Sequence, residues 1–238
     1  MSDKRSLSGQ TAERIRDDIL AGRFVPGERL RLDRLSELYN VGSTPLREAL
    51  ASLAASADLV RAESQRGFYV APISAADLID LVKTRVWLDK IMLRASLRLG
   101  GNAWEGEIAG AAHRLARVEA SHPNALDDRA AWEVEHRAFH RALVSAAGSR
   151  RMLEYHDSLY SLSDRYRRLK AVFGGPRPRS TAEHRAMADA ALNRDTKTIE
   201  TLIENHFVGT AEAVLSNITE NSQELIVKLR ADIAAGWE

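Results

Sequence analysis

The 238-residue chain contains no cysteine. This excludes disulfides and thiolate metal sites and suits the reducing cytoplasm. No apolar run approaches the ~20 residues that a membrane-spanning helix needs. Residues Met1 to Ser6 lack the apolar core of a signal peptide. A cytoplasmic protein with no membrane partner is therefore expected. Glycine and proline are scarce, at 14 and 6 residues, and the segments between them repeat Leu, Ala, Arg and Glu at helical spacing, which predicts a mainly α fold. An excess of one charge is also missing: 34 Lys and Arg stand against 33 Asp and Glu. Residues 1–72 hold eleven basic and ten acidic side chains. A nucleic-acid footprint would have to come from where the arginines lie, not from how many there are.

Residues 1–72 are organised around Val41-Gly42-Ser43-Thr44-Pro45-Leu46-Arg47-Glu48-Ala49-Leu50. Thr44 is suited to cap a helix and Pro45 to its first position, where no backbone donor is required. Glu48 complements the helix dipole. Leu46, Ala49, Leu50 and Leu53 recur as one buried face. Upstream, Leu35 and Leu38 belong to another short helix ending at Asn40, and a Gly-containing turn joins the two. This is the helix-turn-helix pattern, whose second helix enters a DNA major groove. A first helix is expected over residues 10–22, with Ile15, Ile19 and Leu20 inside and Gly22 as its stop. Leu59-Val60-Arg61 and Phe68-Tyr69-Val70 read as two strands flanking the loop from Ala62 to Gly67, a hairpin placed where a winged helix has its wing.

This ordered set, with its Thr-Pro-Leu-Arg-Glu-Ala-Leu run, resembles the DNA-binding domain of GntR-family transcription regulators. The resemblance implies that Thr44 and Arg47 contact operator DNA, with Ser43 beside them, and that the wing around Gly67 follows the minor groove. Family members usually carry an arginine directly before the Thr-Pro pair, where this chain has Gly42-Ser43. A bidentate arginine contributes ~1–3 kcal/mol of base discrimination, so a different or less sharply read operator is expected. Arg31, Arg34, Arg61 and Arg66 are candidate phosphate contacts or, alternatively, ordinary solvated arginines.

Residues 73–238 read as a second domain, an antiparallel all-helical bundle. A long helix over 75–99 follows Pro72-Ile73, with Ser74 and Asp77 as a capping pair and Leu78, Leu81, Val82, Val86 and Leu93 as its apolar stripe. Further helices are expected over 103–120, 125–147, 150–172, 180–193 and 196–221. They are broken at His122-Pro123, Gly148-Ser149, Gly174-Gly175-Pro176 and Asn193-Arg194-Asp195. Residues 222–238 suggest a short terminal helix of unassigned place.

His136 and His140 stand at i and i+4, so both leave one helix face and can meet one metal ion. The glutamate of the zinc-protease motif is absent after His136. Together with Glu183-His184-Arg185 and Asn205-His206-Phe207, this pattern resembles the ligand-binding (FCD-type) domain of the FadR branch of GntR regulators. That resemblance implies a central divalent metal held by His140, His184 and His206 plus an acidic residue one turn before the first histidine. Here His136 occupies that place. Either it replaces the carboxylate, giving a four-histidine site, or the site is altered; the four-histidine form favours borderline ions, zinc or nickel above all. Arg85 and Asp89 match an Arg-plus-acid pair at which the arginine holds an anionic effector, the alternative being an intrahelical i,i+4 salt bridge. His113, His122 and His156 read as incidental, and Tyr155, Tyr160, Tyr166 and Trp132 as core or interface.

The expected function is a homodimeric transcription regulator, a repressor, that binds palindromic double-stranded operator DNA and responds to a small organic acid. It is not expected to be an enzyme. A metal-dependent hydrolase or lyase is the competing class, but it has no general base beside the histidine pair and leaves residues 1–72 unexplained. A regulator whose metal is purely structural, or is itself the signal, is the third reading.

Overall fold

The computed structural model describes residues 6–55, 59–121, 129–172 and 180–236. They fall into two compact units, residues 1–74 and 75–238. The sequence features read at Met1 to Arg5, at His122-Pro123 and at Gly174-Gly175-Pro176 lie outside the described residues.

In the first unit, α1 (Leu7–Leu20) buries Ile15, Ile19 and Leu20. The amide of Gly22 bonds to the Ile19 carbonyl and that of Arg23 to the Asp18 carbonyl, with Gly22 at φ +79°. This is the paired C-terminal closure that a left-handed glycine permits. The short helix α2 (Leu32–Tyr39) ends on Asn40 at φ 53°, and α3 spans Ser43–Ala55. Ile15, Leu35, Leu46 and Leu50 are fully buried together, which fixes α3 against α1 and α2 with its other face outward.

The wing has more strands than the hairpin expected. Strands β2 (Val60–Glu63) and β3 (Gly67–Val70) pair with Val60 opposite Val70 and Glu63 opposite Gly67. Strand β1 (Arg29–Leu30) joins the other edge of β3, Arg29 opposite Tyr69. The sheet order is β1-β3-β2. A two-residue strand carries no periodicity of its own, so only its partner reveals it. The turn is also tighter than the loop from Ala62 to Gly67 that the sequence suggests, because Ala62 and Glu63 remain in the ladder.

The second unit is a helical bundle. Its elements are α4 (Ala75–Leu99), α5 (Asn102–Ser121), α6 (Arg129–Val144), α7 (Arg150–Val172), α8 (Ser180–Leu192), α9 (Thr196–Ile218) and α10 (Ser222–Ala235). The last 17 residues thus include a helix with a definite place: Ile226, Leu229 and Ile233 are buried, and α10 packs on α9 and α4. The stripe of α4 is buried as expected and packs against α9, α7 and α6. Its first turn is tied to α7 where the Tyr166 hydroxyl donates to Asp77 at 2.6 Å.

Only glycine fits at position 100, directly after α4, for a steric reason. A Cβ there would lie 2.4 Å from the Trp104 ring and 2.8 Å from the Ser96 carbonyl. That indole is locked by its own bond to the Ala142 carbonyl at 2.9 Å and cannot give way. Gly100→Ala should therefore destabilise the bundle by ~1–3 kcal/mol through overpacking. Gly101→Ala, which meets nothing within 4 Å, should stay within about 0.5 kcal/mol of the parent. All four tryptophans follow residue 74, so denaturant titration followed by tryptophan fluorescence reads this unit and checks both variants.

Candidate functional site

The first unit offers an exposed helix edge. The Gly42 carbonyl accepts the first helical bond, from Leu46 at 3.3 Å, so α3 starts at Ser43, two residues earlier than Thr44 as cap would require. Thr44 is the second helical residue, and Pro45 still costs nothing because no amide in the first turn has an intrahelical acceptor. Ser43, Thr44 and Arg47 are all exposed, while Leu46, Ala49 and Leu50 face inward.

A groove between this edge and the wing is lined by Arg29, Arg31, Arg47, Arg66, Gly67 and Phe68. The arginines of this unit differ in availability. Arg31 is held by Asp33 at 2.9 Å, Arg34 by Glu28 at 2.6 Å and Arg66 more loosely by Glu63 at 3.8 Å. Arg29, Arg47 and Arg61 carry no ion pair among the described residues. Arg29 has no place in the sequence reading, because its position on β1 shows only once β3 is paired beside it. Its guanidinium lies beside Gly67, which turns at φ +100°, a conformation that side chains resist.

The second unit brings four histidines together. α6 supplies His136 and His140, α8 supplies His184 and α9 supplies His206; one ligand nitrogen from each lies within 4.8 Å of all the others. His136, His140 and His184 are 2%, 1% and 3% exposed. Burial, reinforced by the neighbouring rings, pushes His136 and His140 well below the ordinary histidine range. Burial likewise brings His206 down to about 4, although Glu183 opposes it. These three rings are therefore neutral at pH 7, the state in which imidazole donates a lone pair.

Hydrogen bonds decide which nitrogen faces inward. His184 Nδ1 lies 3.0 Å from Glu119 on α5, and His206 Nδ1 lies 3.0 Å from Glu183. A carboxylate can only accept, so both Nδ1 atoms carry a proton, and the neutral His206 ring then presents its Nε2 as a lone pair. Burial raises the Glu119 carboxyl, but the bonds from His184 and from Trp132 outweigh it and hold it below its usual value. His136 Nδ1 lies 2.5 Å from the Tyr160 hydroxyl. Its Nε2 stands 3.1 Å from that of His140, close enough that the two share either a proton or a cation. His184 Nε2 is buried and without a partner among the described residues. Converging imidazole nitrogens, with three of the four rings anchored by their outer nitrogen and His140 Nδ1 left without a partner among the described residues, fit a borderline divalent ion.

Arg85 and Asp89 of α4 are 5% and 2% exposed. No ion pair joins them among the described residues, and Arg85 Nη2 has no hydrogen-bond partner, so the intrahelical salt bridge is not formed. The guanidinium instead sits 3.9 Å over the Phe207 ring, next to His206, and helps to depress both His140 and His206. Burial lowers it to about 10, so it stays charged at neutral pH.

His156 is not incidental. It is 1% exposed and its Nε2 faces Asp89 at 3.8 Å, on the same side of α7 as Tyr160. Nor is Tyr160 only core, since its hydroxyl reaches His136. The available signal was spacing: His156, Tyr160 and Arg167 succeed one another at one and two helical turns. Trp132 stacks on His136 at 4.2 Å. His113 and Tyr155 are exposed, and His122 lies outside the described residues.

Comparison with known proteins covers most of the chain. Residues 7–70 match the family described as bacterial regulatory proteins, gntR family, and residues 80–209 match the FCD domain. The HTH-type transcriptional regulator BphR of Paraburkholderia xenovorans is 36% identical over 217 residues, covering 90% of this chain and 87% of BphR. The HTH-type transcriptional repressor GlaR of Escherichia coli is 32% identical over 200 residues, covering 82% and 89%. Among solved structures, a GntR transcriptional regulator from Rhodococcus sp. RHA1 superposes with a TM-score of 0.69 at 22% identity, covering 89% of this chain and 99% of that one. Escherichia coli McbR/YncC gives 0.67 at 17%, covering 92% and 99%. At these identities the two structures attest the fold. No described helix is long and apolar enough to cross a membrane.

The depressed histidines set a pH dependence for the metal-free protein. Below the ordinary value of 6.5 the unfolded chain takes up protons that the folded rings refuse. Stability is therefore full above pH 6.5 and is lost progressively as pH falls toward 4. Denaturant midpoints of chelator-treated protein at pH 7.5, 6 and 5 should decline in that order; equal midpoints would contradict the neutral-ring assignment.

Proposed function

The chain belongs to the GntR family of bacterial transcription regulators, with an FCD domain behind its winged helix, and from that premise we propose that it is a metal-dependent, ligand-responsive repressor. It acts in the cytoplasm as a homodimer on a palindromic operator. One short recognition helix reads few base pairs, and two-fold symmetry doubles the site. Ser43, Thr44 and Arg47 at the exposed start of α3 read base edges. Gly67 lets the wing approach the minor groove. Arg29 contacts phosphate, joined by Arg66 and Arg34 once their exposed ion pairs with Glu63 and Glu28 open, which is inexpensive at such exposure.

The observation that carries the sensing half is the convergence of four imidazoles beside Arg85. His136, His140, His184 and His206 hold a zinc or nickel ion. A small organic acid places one carboxylate oxygen near that ion and meets the guanidinium of Arg85, whose Nη2 lacks a hydrogen-bond partner among the described residues. Asp89, facing His156, fixes the polar surroundings of that arginine. The effector changes operator affinity to the extent that it binds the DNA-competent and DNA-incompetent states differently. The enzyme reading has less support: BphR and GlaR are both named as transcriptional regulators.

DNA binding is tested by fluorescence anisotropy on the intergenic DNA beside the protein's own gene. Arg47→Ala should weaken operator binding by ~1–3 kcal/mol and relax its sequence preference. Arg29→Ala should weaken all sequences alike and reduce the salt slope by about 0.9 per lost phosphate contact and subunit. Absence of binding at low salt, with Arg47→Ala indistinguishable from the parent, overturns the proposal. For sensing, a panel of small mono- and dicarboxylates should shift the thermal midpoint of the zinc-loaded protein. Arg85→Met should abolish that shift while zinc content measured by mass spectrometry stays at the parent level.

A further inference from the structure

We infer that Tyr160, backed by Glu133 and Arg167, is a positioning residue that makes His136 a metal ligand, supplying through a hydrogen-bond relay the negative charge that its imidazole lacks. The inference rests on the metal-site reading above. Imidazole ligands bring no charge to a divalent ion, and the site is almost fully buried. Compensation has to come from groups one bond removed. His184 and His206 each have a carboxylate directly on Nδ1. His136 has a phenol instead.

The relay has a defined direction. The Tyr160 hydroxyl has one proton and donates it to Glu133 Oε1 at 2.8 Å. Toward His136, 2.5 Å away, the phenol oxygen can only accept. His136 Nδ1 therefore carries its proton, and Nε2 presents a lone pair to the ring of ligand atoms. Arg167 donates to the same Glu133 oxygen and sets a positive charge against that carboxyl group in a site where Glu133, Tyr160 and Arg167 are all at least nine-tenths buried. The guanidinium also covers the Tyr160 ring at 4.2 Å from its centroid, which fixes the phenol on the line between Glu133 and His136.

Without the hydroxyl, a ring 2% exposed has no acceptor for Nδ1–H, and the other tautomer, with its proton on Nε2, points hydrogen at the metal position. The carboxylate is thus displaced one residue outward: the chain Glu133–Tyr160–His136 delivers partial negative charge through a nitrogen donor. That combination favours a borderline ion over a hard, oxygen-preferring one.

Tyr160→Phe removes the oxygen alone and retains the ring under Arg167. The full-length protein, stripped with chelator, is titrated with cobalt(II) in competition with a chromophoric chelator, and the d–d absorption of the bound ion is recorded. Tyr160→Phe should bind cobalt about 10–100-fold more weakly with altered d–d bands. Glu133→Gln should move both readouts in the same direction by less. Tyr155→Phe, on the same helix but 66% exposed, should match the parent. Parental affinity and spectrum in Tyr160→Phe overturn the inference while leaving the four-histidine site standing. Failure of the parent itself to bind cobalt overturns that site and this inference together. If Tyr160→Phe lacks the parental helical circular dichroism, Glu133→Gln decides, and parental values there overturn the relay.

Discussion

The second unit depends on keeping four imidazoles in contact inside a helical core. Such a cluster gains nothing from protonation, because burial and mutual repulsion oppose it. It is tolerable where rings are held by their outer nitrogens, as three of the four are; His140 Nδ1 is buried with no hydrogen-bond partner among the described residues. Carboxylates from α5 and α8 and a phenol from α7 supply those holds. The helices are thereby pinned to one another at the centre by polar contacts whose directions are fixed by which atoms can donate. An ion placed among the inner nitrogens stabilises the folded chain specifically, since the unfolded chain offers no assembled site.

The first unit meets a different constraint. With acid and base nearly balanced, it cannot attract a polyanion through net charge. It has to present selected arginines and occupy the rest. Arg31 and Arg34 are engaged by Asp33 and Glu28, whereas Arg29 and Arg47 border one groove without such partners. A surface of this kind gives modest long-range attraction and relies on close fit, so the missing arginine at Gly42-Ser43 weighs more here than it would on a strongly basic domain.

Much of this was legible in the chain itself. Strong helical periods, Gly22, Asn40 and Gly100 as stops, and the Thr-Pro-Leu-Arg run delimit helices that the structure reproduces closely, because each signal is local backbone chemistry. The failures have physical causes as well. Two-residue β1 exists only through its bonds to β3. Thr44 looks like a cap, but the Gly42 carbonyl reaches Leu46 first. His156 and Tyr160 look idle because their partners, Asp89 and Glu133, lie dozens of residues away.

The sequence by itself determined the family, the helical class and the identity of the four histidines, since these rest on residue type and short-range spacing. Tertiary structure alone decided that the four rings meet, which nitrogens turn inward, that Arg85 Nη2 is left without a hydrogen-bond partner among the described residues, and that Arg29 rather than Arg31 is available at the groove. Those outcomes depend on packing between elements far apart in the chain, where burial removes water as the competing partner and every donor must find a particular acceptor.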